Sequence, residues 1–267
     1  MPIVALNGVG LSYATHGAGP TVLLLMGTGS PGRVWELHQV PALVAAGFRA
    51  VTLDSRGIPP SSECPEGFTI DDLVADAAAL VRHLDAGPVA VVGTSLGARV
   101  AQELALAHPE LVARAVCLAA HGRADPLQRA MSRGERALHD AGIVLPPDYH
   151  AATSAVLNLS PRTLADPRRA QDWLDVLAFS GSAVGPGVRA QLALGDHPDR
   201  LAAYAAISVP LLAVAFADDR VIPPERTREV ADAVPGGRYV EVADCGHFGY
   251  LERPEAVNAV ILDFLRG

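Results

Sequence analysis

The sequence predicts an α/β protein with a mostly parallel, eight-stranded sheet, helices on both of its faces and an inserted helical segment. Three observations lead there. Short apolar runs, at 21–26 and 89–92 for example, are continuous rather than alternating, as strands covered on both faces require. Helix-forming stretches recur between these runs. At one junction a strand turns straight into a helix through Gly93-x-Ser95-x-Gly97, where the glycines remove the Cβ clashes that would block so tight a turn.

In chain order, 3–6 and 11–15 read as a hairpin turning at Asn7-Gly8. The buried run 21–26 follows and ends in Gly27-Thr28-Gly29-Ser30-Pro31-Gly32. A helix over about 34–46 leads to the strand 50–54 and the loop 55–60. A second helix, capped at Thr69 or Asp71, runs to about residue 84. The strand beginning at Val89 then delivers Ser95 to the head of an Ala-rich helix carrying Leu96, Val100 and Leu104 on one face. The next buried strand is 114–120. From 121 to 207 the rhythm changes: helical patterns at about 127–141, 149–157, 166–180 and 188–206 are broken by Pro146-Pro147 and Gly185-Pro186-Gly187. This segment reads as a helical lid inserted into a core made of 1–120 and 208–267. Strand and helix then alternate again, with strands at 209–216 and 238–242 and helices over about 224–234 and 254–265.

Composition narrows the function. Half of the 267 residues are hydrophobic, enough for a large core. The net charge is −8, and all 21 basic positions are Arg without any basic run, which argues against nucleic acid or an anionic membrane as partner. The first residues show no basic stretch followed by a long apolar one, and 22–26 is too short to span a bilayer. The expectation is a cytoplasmic protein acting on a small molecule, and oligomeric state is not legible. Cys64, Cys117 and Cys245 have neither metal-site nor CxxC spacing, so no metal is expected.

Ser95 at the apex of the turn is the candidate nucleophile. A serine hydroxyl needs a base within hydrogen-bond reach, and the base needs an orienting carboxylate. In such sheets these groups gather beyond the C-terminal ends of the strands. Asp218 and Asp219 follow one late strand, and His247 follows the last. The N–H of Leu96, directly after the nucleophile, is a candidate oxyanion donor.

These residues, in the order Ser, Asp, His, together with nearly every element of the chain, resemble the α/β-hydrolase superfamily with a helical cap after the sixth strand. The resemblance implies a Ser95-His247-Asp219 triad, since the family's acid stands four residues before a proline as Asp219 does before Pro223; Asp218 is the fallback. It also implies a second oxyanion donor at Thr28; Met26, Gly27 and Trp35 are the candidate pocket residues beside these groups. Two departures stand out: Met26 replaces the family's usual His, and Gly57-Ile58-Pro59-Pro60-Ser61 replaces Gly-x-Gly-x-Ser. The implied activity is hydrolysis of an ester, thioester, lactone or related carbonyl bond in an apolar small molecule through an acyl-enzyme, without cofactor. An alternative is a lyase or cyclase of bacterial specialised metabolism on the same fold. A remote one is dinucleotide binding through Gly27, Gly29 and Gly32 with Asp54 on a ribose. His121 and Cys245 lie near the expected site in sequence without an assigned role.

Overall fold

In a computed structural model, which describes residues 2–267, the eight strands are β1 (Ile3–Leu6), β2 (Val9–His16), β3 (Thr21–Leu25), β4 (Arg49–Asp54), β5 (Val89–Thr94), β6 (Val112–Leu118), β7 (Leu211–Phe216) and β8 (Arg238–Val242). Residue 1, the first of the expected core segment, lies outside the described residues. One sheet holds all eight strands in the order β1-β2-β4-β3-β5-β6-β7-β8. β2 pairs antiparallel with both β1 and β4, and every other pairing is parallel. The β1–β2 hairpin turns at Asn7 and Gly8, both at positive φ (47° and 77°), with Leu6 opposite Val9.

Twelve helices connect and cover the strands among the described residues: α1 (Gln39–Ala45), α2 (Ile70–His83), α3 (Leu96–Ala107), α4 (Pro126–Asp140), α5 (Pro147–Asn158), α6 (Pro161–Leu164), α7 (Pro167–Ser180), α8 (Pro186–Ala193), α9 (Leu201–Tyr204), α10 (Pro224–Ala233), α11 (Gly249–Glu252) and α12 (Pro254–Arg266). Thr69 caps α2 reciprocally: its Oγ1 accepts from Asp72 N–H at 3.2 Å, and Asp72 accepts from Thr69 N–H at 2.8 Å. Successive residues of β5 feed opposite cores. Val89 and Val91 pack with α2, α3 and α10, through Leu80, Leu104 and Val230, whereas Ala90 and Val92 pack with α1 and α12, through Leu43, Ile261 and Phe264. No described helix is long and apolar enough to cross a membrane.

Two expected helices are each two pieces. The stretch 34–46 is a 3-10 turn over Gly32–Leu37 followed by α1, because Pro41 has no N–H to continue a helix that began before it. Likewise 188–206 divides into α8 and α9 around Pro198. The short α6, started by the Ser160 cap and Pro161, was not anticipated.

Helices α4 to α9 occupy the interval between β6 and β7. α4 packs on α8, tied by Arg189 to Asp140 through two hydrogen bonds of 2.5 and 2.9 Å. α5 packs on α7 around Ala151, Ala155, Leu159 and Leu177. α8 also meets the loop after β4 backbone to backbone: a Cβ on Gly187 would lie 2.2 Å from Gly57 O, so only glycine permits the approach.

Candidate active site

Ser95 sits between β5 and α3 at φ 54°, ψ −116°, a conformation that non-glycine residues rarely adopt. Its neighbours allow it. A Cβ on Gly93 would lie 2.1 Å from Gly97 O, and one on Gly97 would lie 2.2 Å from Leu25 O. Strand, turn and helix therefore fit together only with glycine on both sides of the serine. Ser95 N–H donates to Leu118 O at 3.0 Å, fixing the turn against β6.

Asp219 follows β7 and is 4% exposed. One oxygen, Oδ1, accepts from the N–H groups of Val221 and Ile222, each at 2.8 Å. The other, Oδ2, stands 2.7 Å from His247 Nδ1. This assigns the imidazole proton to Nδ1 and leaves Nε2 as an acceptor. Asp218 contributes only its main-chain N–H, to Cys245 O at 3.0 Å. The His247 loop is held from below by Glu252 of α11, which accepts from Gly246 N–H at 2.6 Å and from Ser160 N–H at 3.0 Å. Phe248 N–H donates to Asn158 O at 3.1 Å, so the loop also rests on α5.

Ser95, Leu96, Gly27, Thr28 and His247 border one cavity of about 310 Å³, a volume suited to a small molecule. Helices α4, α5 and α8 close its other side with Gln128, Met131, Glu135, Asn158, Val188 and Gln191. The N–H of Leu96 opens α3 and so has no acceptor within the helix. Gln191, 2% exposed, braces the Thr28 loop: its Oε1 accepts from Gly29 N–H at 2.9 Å while its Nε2 donates to Arg56 O at 2.8 Å.

Two expected pocket residues lie elsewhere. Met26 is 3% exposed and Trp35 fully buried, packed against Tyr250 with ring centroids 5.1 Å apart. Both belong to the core covered by α1 and α12. Met26 continues the parity of Val22 and Leu24, so the pleat turns its side chain away from Ser95, and Gly27 alone of that trio borders the cavity. The dinucleotide arrangement is also overturned. Asp54 is 2% exposed and its Oδ1 already accepts from Gly32 N–H at 2.8 Å, so the carboxylate anchors the glycine loop rather than facing a ribose.

Of the lining residues, the sequence reading left His121 without a role and passed over Arg99 and Gln191. Position offered a signal for two of them. Arg99 stands four residues after Ser95, on its face of the helix, and His121 stands just past the C-terminal end of β6. Burial, with His197, Arg99 and His247 nearby, holds His121 well below the usual histidine range. His197, whose ring centroid is 5.3 Å from that of His121, is pulled down to about 4, chiefly by burial. These polar groups share the cavity with apolar ones such as Leu96, Met131, Val188, Leu192 and Phe248.

A sequence profile of the alpha/beta hydrolase family matches residues 15–260. A protein of Mycobacterium tuberculosis provisionally named non-heme bromoperoxidase BpoC is 45% identical over 96% of this chain and 97% of its own length. Its crystal structure superposes with a TM-score of 0.91, covering 96% of this chain and 95% of that one. A protein of Caulobacter vibrioides provisionally named carbamate hydrolase RutD is 30% identical, over 97% and 96% of the two chains. A thermophilic esterase from Thermogutta terrifontis, solved with malate bound, is 25% identical with a TM-score of 0.85, covering 100% of this chain and 98% of its own.

Proposed function

Because the chain belongs to the alpha/beta hydrolase family and is an enzyme of that family, we propose that it is a serine hydrolase cleaving an ester, thioester or lactone bond through an acyl-enzyme. The observation that carries this reading is the 2.7 Å contact between Asp219 and His247 on a cavity shared with Ser95. In this reading Ser95 Oγ attacks the carbonyl carbon as His247 Nε2 takes its proton. Asp219 holds the tautomer and stabilises the imidazolium. The N–H groups of Leu96 and Thr28 meet the oxyanion, each worth about 3 kcal/mol in the transition state. The proton then passes from His247 to the leaving oxygen or sulfur, and water cleaves the acyl-serine by the same route. The helices of 121–207 act as a lid that sets the shape of the acyl group.

The relative's name supports a second reading: hydrogen peroxide takes the place of water, releasing a peroxyacid and regenerating the serine.

Labelling with a fluorophosphonate, alongside turnover of 4-nitrophenyl butyrate, tests the first reading. Wild-type protein is expected to label and turn over; Ser95→Ala and His247→Ala are expected to do neither. An unlabelled wild type that also leaves the ester intact overturns it. Adding hydrogen peroxide with acetate and assaying peroxyacid decides the second reading, which falls if none accumulates.

A further inference from the structure

We infer that Arg99 makes one wall of this cavity a carboxylate subsite, so that the substrate is an acyl compound carrying an anionic carboxylate away from the bond that breaks. The inference deepens the serine-hydrolase reading and rests on it for the word substrate, though not for the subsite.

Arg99 lies one turn into α3, directly after the turn that presents Ser95. Helical side chains lean toward the N-terminus of their helix, which brings the guanidinium to the cavity that Ser95 and His247 border. It is 5% exposed. Nη1 donates to Leu194 O at 2.7 Å, while Nε is sealed from solvent without a partner among the described residues. A buried guanidinium with one neutral acceptor is costly, and its planar fork of donors matches a carboxylate.

No carboxylate is hydrogen-bonded to Arg99 among the described residues; Glu103 and Asp71 act on it only through space. Glu103, one turn further along α3, is taken by Arg200, whose Nε and Nη2 reach it at 2.9 and 2.8 Å, and by Tyr204 Oη at 3.1 Å. Glu135 of α4 also borders the cavity but forms no ion pair with Arg99 among the described residues. The imidazoles of His121 and His197 add no negative charge. His121, its Nδ1 buried and unpartnered among the described residues, belongs to the same wall. A guanidinium that borders the cavity and has no carboxylate bonded to it among the described residues describes a place for an anion. A single guanidinium in about 310 Å³ favours a carboxylate over a larger polyanion.

The test compares pairs that differ only in the remote carboxylate. Turnover is measured with 4-nitrophenyl hydrogen adipate and 4-nitrophenyl hexanoate, and binding to Ser95→Ala by calorimetry with adipamate and hexanamide. The charged ester is expected to be favoured by about tenfold in kcat/KM, the size of one charge-assisted contact. That ratio should fall to near unity in Arg99→Met and survive in part in Arg99→Lys, which keeps the buried charge. Taking the ratio within each protein cancels any general loss of active enzyme. A wild-type ratio near one, or one unchanged in both variants, overturns the subsite while leaving the hydrolase reading intact. Conversely, if neither ester turns over but adipamate outbinds hexanamide by about tenfold, and that advantage disappears in Ser95→Ala/Arg99→Met, the subsite stands and the hydrolase reading falls. Inorganic phosphate competing as well as adipamate would replace the carboxylate with a phosphoryl anion and overturn the assignment.

Discussion

Asp219 holds two positions at once: Oδ1 closes a turn on the N–H groups of Val221 and Ile222, and Oδ2 faces His247. Asp219→Asn can keep the turn, because an amide oxygen still accepts those two bonds. Its NH₂ cannot accept the proton on Nδ1, so the imidazole takes the other tautomer and Nε2 ceases to be a base. The expected outcome is a fall in kcat of about 10⁴-fold at nearly unchanged melting temperature, read from steady-state kinetics beside a thermal melt. Ser95, Asp219 and His247 were legible because each lies in a short local pattern, a glycine-framed turn or the loop after a strand. The partners that fix Arg99 and Gln191 were not: the acceptor of Arg99 is 95 residues away in sequence, and the donor that Gln191 meets is 162 away. Met26 and Trp35 misled for the opposite reason, since large apolar residues beside a site are drawn into the core.

At the scale of the element, α11 matters more than its four residues suggest. Its Glu252 joins the His247 loop to the segment between α5 and α6 through two buried N–H groups. Glu252→Ala strands both donors and should cost about 2–4 kcal/mol, measured by denaturant unfolding, with activity lost as the His247 loop relaxes. Glu252→Gln, which can still accept one bond, should recover part of both. In α8, Gln191→Ala releases Gly29 and with it the loop bearing Thr28. If Thr28 is the oxyanion donor proposed above, the expectation is a drop of about tenfold in kcat with a small change in KM for a short neutral ester, because such a donor acts in the transition state. Strands were easier to read than helices. Continuous β-branched runs mark a strand by themselves, whereas the division of 34–46 and 188–206 depended on where Pro41 and Pro198 fall within a turn.

Across the whole molecule, two burial choices make stability depend on acidity. His197 is 5% exposed and its pKa falls to about 4, against 6.5 when unfolded, and His121 is shifted the same way. Between those values the unfolded chain binds protons that the folded one refuses. Stability is therefore full above about pH 6.5 and declines as pH falls toward 4, by about 3 kcal/mol for His197 alone. Melting temperature against pH should show this slope, and His197→Gln should flatten it. The sheet, and the run of helices between β6 and β7, were visible in the alternation of patterns along the chain. How α4 to α8 close over the strand ends was not, because amphipathic periodicity says which face is buried and not against what.

The bonds made by Gln191 give α8 a second meaning. One amide side chain grips Gly29 N–H and Arg56 O together, and Gly187 rests on Gly57 beside them. Any displacement of α8 that broke these bonds would also free the loop that carries Thr28. In the proposed mechanism this couples the helix that borders the cavity to the loop that offers the second oxyanion donor, so a change at Gln191 is felt on both.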